Sequence, residues 1–230
     1  SFFRFLIMAD YLEADPSELL ESPNIGLKLP EVLTVEEIDR IIATVDRSKA
    51  EGQRNRAILE TLYSCGLRVS ELVNLKLSDL YFDEGFIKVE GKGNKQRLIP
   101  ISPRAINEIK LYFTDRNQIE VKSGHEDFVF ISLRRGKRLS RIMIFHMIKE
   151  LAQQASITKN ISPHTFRHSF ATHLLEGGAN LRAIQCMLGH ESIATTEIYT
   201  HIDRNMLRSE IIEHHPRNIK YRKEKESLFH

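Results

Sequence analysis

The stretch SPHTFRHSFATH, residues 162–173, puts three histidines and one arginine on the opening turns of a helix. Ser162 followed by Pro163 is a helix start, because serine caps the free N–H groups and proline's fixed φ suits the first helical position. Gly177-Gly178 ends that helix. His164 and His168 are four apart, as two metal ligands on one face would be. His164 and Arg167 are three apart, as a clamp on a phosphate would be. A helix N-terminus disfavours cations by about 0.3–1 kcal/mol, so a histidine and an arginine there point to an anion between them. The metal pairing would want a carboxylate or third histidine nearby. The stretch holds no acid, and Arg167 would repel a cation.

Helices extend from this stretch in both directions. Downstream, Asn180 caps a helix that closes at Gly189, another carries Thr195–His201, and a last covers 205–214. Upstream, Ser140 starts one helix and Ser102-Pro103 another. Nearer the beginning, Thr34 and Glu37 form a capping box ahead of Ile38, Ile41, Ile42 and Val45 at helical spacing. A second helix spans 53–64 and stops near Gly66, and VSELVNL (69–75) makes a third. Between these groups, FDEGFIKVEGKGNKQRLIPIS (82–102) has a different character. Turns at Asp83–Gly85 and Gly91–Lys95 separate short strands at Phe86–Glu90 and Gln96–Ile101. DFVFIS (127–132) is a candidate further strand. The expected class is mainly α with a small antiparallel β-sheet (α+β).

Composition narrows the function classes. A 41% hydrophobic share of 230 residues can bury a sizeable core. Two distant cysteines exclude a disulfide framework and a zinc site built on paired cysteines. The apolar start, SFFRFLIMADYL, is broken by Arg4 and Asp10 and has no signal-peptide pattern. No run is long enough to span a membrane. These features read as a cytoplasmic protein. Residues 1–21 read as the last helix of a preceding helical domain, 22–33 as a linker, 34–215 as the main domain, and 216–230 as a polar tail that frays.

A net charge of +2 identifies no partner by itself, so placement must. RRGKRLSR (134–141) holds Arg134, Arg135, Lys137, Arg138 and Arg141 without an acid, and the hairpin adds Lys88, Lys92, Lys95 and Arg97. Concentrating cations in a nearly neutral chain makes one basic face, the footprint of a polyanion site. Arg68 opens the helix RVSELV, and His190 follows the Gly189 helix end. Blander readings exist for each feature: a solvated loop at 134–141, a salt bridge from Arg68 to Glu71, a hydrogen-bonded His164, and a core aromatic at Tyr199.

CGLRVSEL (65–72), GKGNKQR (91–97), HTFRHSFATHLL (164–175) and LGHESIATTEIYTHI (188–202) occur in this order. Together they resemble the catalytic domain of the tyrosine recombinase (phage integrase-like) family, nearest to its Xer-type bacterial site-specific recombinases. The resemblance runs from about Thr34 onward. It implies a site-specific recombinase that cleaves and rejoins double-stranded DNA through a covalent 3′-phosphotyrosine, DNA-associated in the cytoplasm. It implies six catalytic positions: Arg68, Lys92, His164, Arg167, His190 and the nucleophile Tyr199. It casts the 1–21 remnant as part of a DNA-clamping domain. Lys95, Arg97, Arg134, Arg135, Lys137, Arg138 and Arg141 are expected to contact DNA. The helix 205–214 is expected to join subunits in a homo- or hetero-tetramer on DNA. No cofactor or metal is implied. His168 and His173 are expected to be structural. A type IB topoisomerase-like relaxing enzyme, a non-catalytic DNA-binding regulator and a metal-dependent phosphodiesterase are the rival readings.

Overall fold

The computed structural model describes residue 11, residues 31–189 and residues 204–226. The chain divides into two units, Ser1–Pro30 and Glu31–His230, and the described elements all belong to the second. Apart from residue 11, the expected helix at 1–13 lies outside the described residues, as do the expected helix Thr195–His201, His190 and Tyr199.

The second unit is mostly helical. In chain order its elements are α1 (Val35–Ala43), α2 (Gly52–Cys65), α3 (Val69–Asn74), β1 (Leu80–Tyr81), β2 (Phe86–Glu90), β3 (Gln96–Pro100), α4 (Pro103–Arg116), α5 (Arg141–Gln154), α6 (Pro163–Glu176), α7 (Leu181–Leu188), α8 (Arg204–His214) and α9 (Pro216–Glu226). The three strands among the described residues form one antiparallel sheet in the order β1-β2-β3. No described helix is long and apolar enough to cross a membrane.

The capping signals act as the sequence implies at most starts. Thr34 accepts from the Glu37 N–H and Glu37 answers to the Thr34 N–H, a reciprocal box. Ser102, Ser140 and Asn180 each accept backbone N–H groups of α4, α5 and α7. At α6 the return bond of such a box is made by a hydroxyl: Ser162 sits at the cap, and the Thr165 side chain accepts from the Ser162 N–H at 3.1 Å.

Helix α2 is the centre of the fold. It packs on α4 along one side and α6 along another, and nearly every one of its residues is buried. A helix buried all round must satisfy its polar side chains internally. Gln53 meets Glu108, Arg54 reaches the Ile131 carbonyl, and Glu60 is held by Arg104 and Arg217. Gly66 ends the helix at φ 57°, and a Cβ there would stand 2.4 Å from the Phe170 ring. No other residue fits, because both the left-handed turn and the ring contact require a missing side chain.

Three expectations are corrected. DFVFIS is not a strand of the sheet: it makes only isolated bridges, Lys76 to Phe128 and Ile131 to Arg138, and its buried Val129, Phe130 and Ile131 serve the core directly. Leu33, read as linker, is fully buried and donates its N–H to Ser169 at 2.9 Å. The fraying tail is instead helix α9 over 216–226. Its polar composition hid an anchor, since Arg217 is buried and forks onto Glu60, with a further bond to Asp39.

Candidate active site

Arg68 occupies the N-cap of α3, and Arg167 lies one turn into α6. Their side chains meet at the C-terminal end of α7. Arg167 donates from Nη1 to the Gly66 carbonyl at 2.8 Å and from Nη2 to the Leu188 carbonyl at 2.5 Å. Arg68 donates to the Gly189 carbonyl at 3.4 Å. The buried Arg97 joins them from β3, donating from Nε to the Met187 carbonyl at 3.0 Å. Three guanidiniums thus cap three successive carbonyls where a helix dipole is negative and its last acceptors are unpaired.

Like charges this close need compensation. Glu71, 3% exposed on α3, supplies it. Its Oε1 accepts from Arg68 Nη1 and from Arg97 Nη1, both at 2.9 Å, and its Oε2 accepts from Arg97 Nη2 at 3.1 Å and the Arg68 N–H at 2.8 Å. Burial pushes the Glu71 carboxyl up, but bonds and charge from Arg97, then Arg68, outweigh it and hold the group below the usual range. Arg167 is lowered to about 10, by burial first and by Arg68 next, and so remains cationic at neutral pH. Described residues take up two of its five N–H donors. A planar guanidinium in a partly buried setting is suited to a phosphate oxygen.

His164 lies at the second position of α6, exposed, three residues before Arg167 and so on the same face. Lys92 begins the turn Lys92–Asn94 between β2 and β3, where Gly93 and Asn94 have φ 73° and 57°. The Gly91 N–H closes this turn onto the Lys95 carbonyl at 2.9 Å. His190 and Tyr199 lie outside the described residues; Gly189, immediately before His190, abuts Arg97. The structure therefore brings together Arg68, Arg167 and the helix turn bearing His164.

The remaining candidate residues fall into two groups. Arg134, Arg135, Lys137, Arg138 and Arg141 are on or just after a tight loop closed by Ser132 and Lys137, and all five are exposed. Arg138 also bonds Asn74 and lies 5.3 Å over the Phe128 ring. Lys95 is exposed at the hairpin turn. Arg97 is corrected: it is 8% exposed and its guanidinium is committed to Glu71 and Met187, so it faces protein rather than DNA. The signal is present in the sequence, since strand alternation puts Arg97 on the inward face with Ile99, opposite Val89. Spacing shows Glu71 only as a partner for Arg68, yet it joins two arginines. His173 is buried and shares a hydrogen bond between its Nδ1 and the Tyr63 hydroxyl at 2.8 Å, whereas His168 is exposed. Among the described residues no three His, Cys, Asp or Glu side chains group as a metal site.

Residues 31–206 match the phage integrase family. Tyrosine recombinase XerD of Staphylococcus saprophyticus is 45% identical over 218 residues, 94% of this chain and 73% of that protein. The crystal structure of XerA recombinase superposes with a TM-score of 0.65 at 34% identity, covering 92% of this chain and 72% of that one. The XerH site-specific recombinase bound to difH substrate, a pre-cleavage complex, gives a TM-score of 0.63 at 28% identity, over 76% of this chain and 51% of that one. The chain belongs to the phage integrase family of tyrosine recombinases.

Proposed function

We propose that the protein is a site-specific DNA recombinase of the Xer type that exchanges strands through a covalent 3′-phosphotyrosyl intermediate. The observation that carries this reading is the convergence of Arg68 and Arg167 beside Gly189, in a chain whose relatives include a recombinase solved on its DNA substrate. Neither the topoisomerase nor the regulator reading is favoured by any of the relatives described. By kinship with XerD, chromosome partition is the proposed setting.

In the proposed step the Tyr199 oxygen attacks a backbone phosphorus. The tyrosine O–P bond forms as the bond to the sugar 5′-oxygen breaks. The phenol, with an ordinary pKa near 10, passes its proton to His164. Arg68 and Arg167 hold the non-bridging oxygens, where charge accumulates, with His190 as a further donor. Lys92, on its glycine-flanked turn, gives a proton to the leaving 5′-oxygen. The covalent link conserves the bond energy, and a 5′-hydroxyl from another strand reverses the step. The cations Lys95, Arg134, Arg135, Lys137, Arg138 and Arg141 are proposed to line the DNA path. Helix α8, with Leu207 and Ile211 buried and Met206 exposed, is proposed to dock between subunits in a tetramer on DNA.

A pool of nicked duplexes with a randomised core tests this reading. Incubated with the protein in chelator, the pool should yield duplexes that stay attached through denaturation, sharing one sequence. Attachment that requires a divalent metal, or no attachment beside free cleavage, would sink it.

A further inference from the structure

Arg97 is an arginine where the strand pattern calls for an apolar side chain. Its cross-strand neighbour Val89 and the next inward residue on β3, Ile99, are both buried. Burying a guanidinium is costly unless it is fully engaged. Here both oxygens of Glu71 and the Met187 carbonyl engage it, at 2.9, 3.1 and 3.0 Å. A Cβ on Gly91 would stand 3.3 Å from its Nη1, and one on Gly189 would stand 3.1 Å from its Cζ. Arg97 is therefore wedged between three elements: helix α3 with Arg68, the hairpin turn with Lys92, and the end of α7 before His190.

The position of Glu71 explains what this wedge does. One carboxylate faces two guanidiniums. With Arg97 in place, its fork takes both carboxylate oxygens, and Arg68 keeps one side-chain contact to Glu71. Without Arg97, the whole charge of Glu71 would face Arg68, and a bidentate Arg68–Glu71 pair would compete with phosphate for the same donors. We infer that Arg97 is a positioning residue which, by neutralising Glu71 and clamping the hairpin to α7, holds the Arg68 guanidinium available to the scissile phosphate. This rests on the proposed role of Arg68. Buried, with its guanidinium committed to Glu71 and the Met187 carbonyl, Arg97 acts through others.

The test is single-turnover covalent attachment to the nicked-duplex pool, measured beside DNA affinity. Arg97→Met should slow attachment about 10–100-fold, the scale of a displaced catalytic group, while affinity changes less than about threefold. Adding Glu71→Gln removes the competing charge, so the double variant should attach no more slowly than Arg97→Met alone. A further multiplicative fall would overturn the inference, as would Arg97→Met at the wild-type rate. Should Arg97→Met fail to fold, Arg97→Lys reads the same quantity. It keeps the charge without the fork and should remain at least about fivefold slow; a wild-type rate there would also overturn it. If the wild-type chain forms no covalent complex at all, the functional reading fails instead.

Discussion

Replacing Arg217 with methionine should loosen the C-terminal helix from the body of the protein. Arg217 is 3% exposed, and its Nε donates to Glu60 Oε2 at 3.1 Å while Nη2 reaches Oε1. Glu60 is 1% exposed, so it cannot turn to water when the arginine goes. Stripping one partner from a buried ion pair costs about 3–5 kcal/mol. Two retained contacts reduce that. Arg104 still donates to Glu60 at 3.1 Å, and Lys220 still reaches Asp39 at 2.8 Å. Methionine fills the volume of the arginine stem, so little cavity is left. We therefore expect a loss of about 2–3 kcal/mol. At about 2–4 °C per kcal/mol for a domain of this size, the thermal midpoint should fall by about 5–10 °C. Urea unfolding at pH 7 should show a lower midpoint with an unchanged slope. Adding Glu60→Gln should recover part of the loss, because a neutral amide is less costly to bury than an orphaned carboxylate. A loss below about 1 kcal/mol, or no recovery in the double variant, would refute the claim that charge anchors this helix.

Acid should destabilise the protein before its carboxylates titrate. Burial lowers His215 to about 3 and also lowers His173. The unfolded chain, with imidazoles near 6.5, takes up protons first, so stability present above about pH 6.5 is lost as pH falls toward 3. His215 contributes about 1.4 kcal/mol per pH unit in that window. His215→Gln should flatten unfolding free energies between about pH 6.5 and 4.5, and an unchanged slope would contradict the assignment. Lys92→Ala should attach to ordinary DNA at least about 10²-fold slowly. It should regain speed on DNA with a bridging 5′-sulfur, a leaving group that needs no proton; absence of recovery would remove Lys92 from the acid role.

Much of this fold is legible in the sequence because helix signals are local. Thr34 with Glu37, Ser102 with Pro103, and Asn180 with Gly189 each mark an end within a few residues, and the structure places helices α1, α4 and α7 there. Burial of charge is what does not show. Arg217 in a run of polar residues and Arg97 in a basic hairpin both look like solvated or DNA-facing cations. Their acids, Glu60 and Glu71, lie 157 and 26 residues away. Only tertiary packing reveals such partners. Strand alternation can place Arg97 inward, but no rule of spacing names its carboxylate. The segment 127–132 misleads for a related reason: a short apolar run reads alike whether it pairs in a sheet or simply fills a core.

Everything proposed for the reaction depends on Tyr199 carrying the DNA. Protein captured on the nicked duplexes can be digested and its DNA-linked peptide sequenced by mass spectrometry. The expected result is a phosphodiester on Tyr199, a free 5′-hydroxyl on the released strand, and no adduct from Tyr199→Phe. An adduct on another residue, or one that persists in Tyr199→Phe, would contradict it.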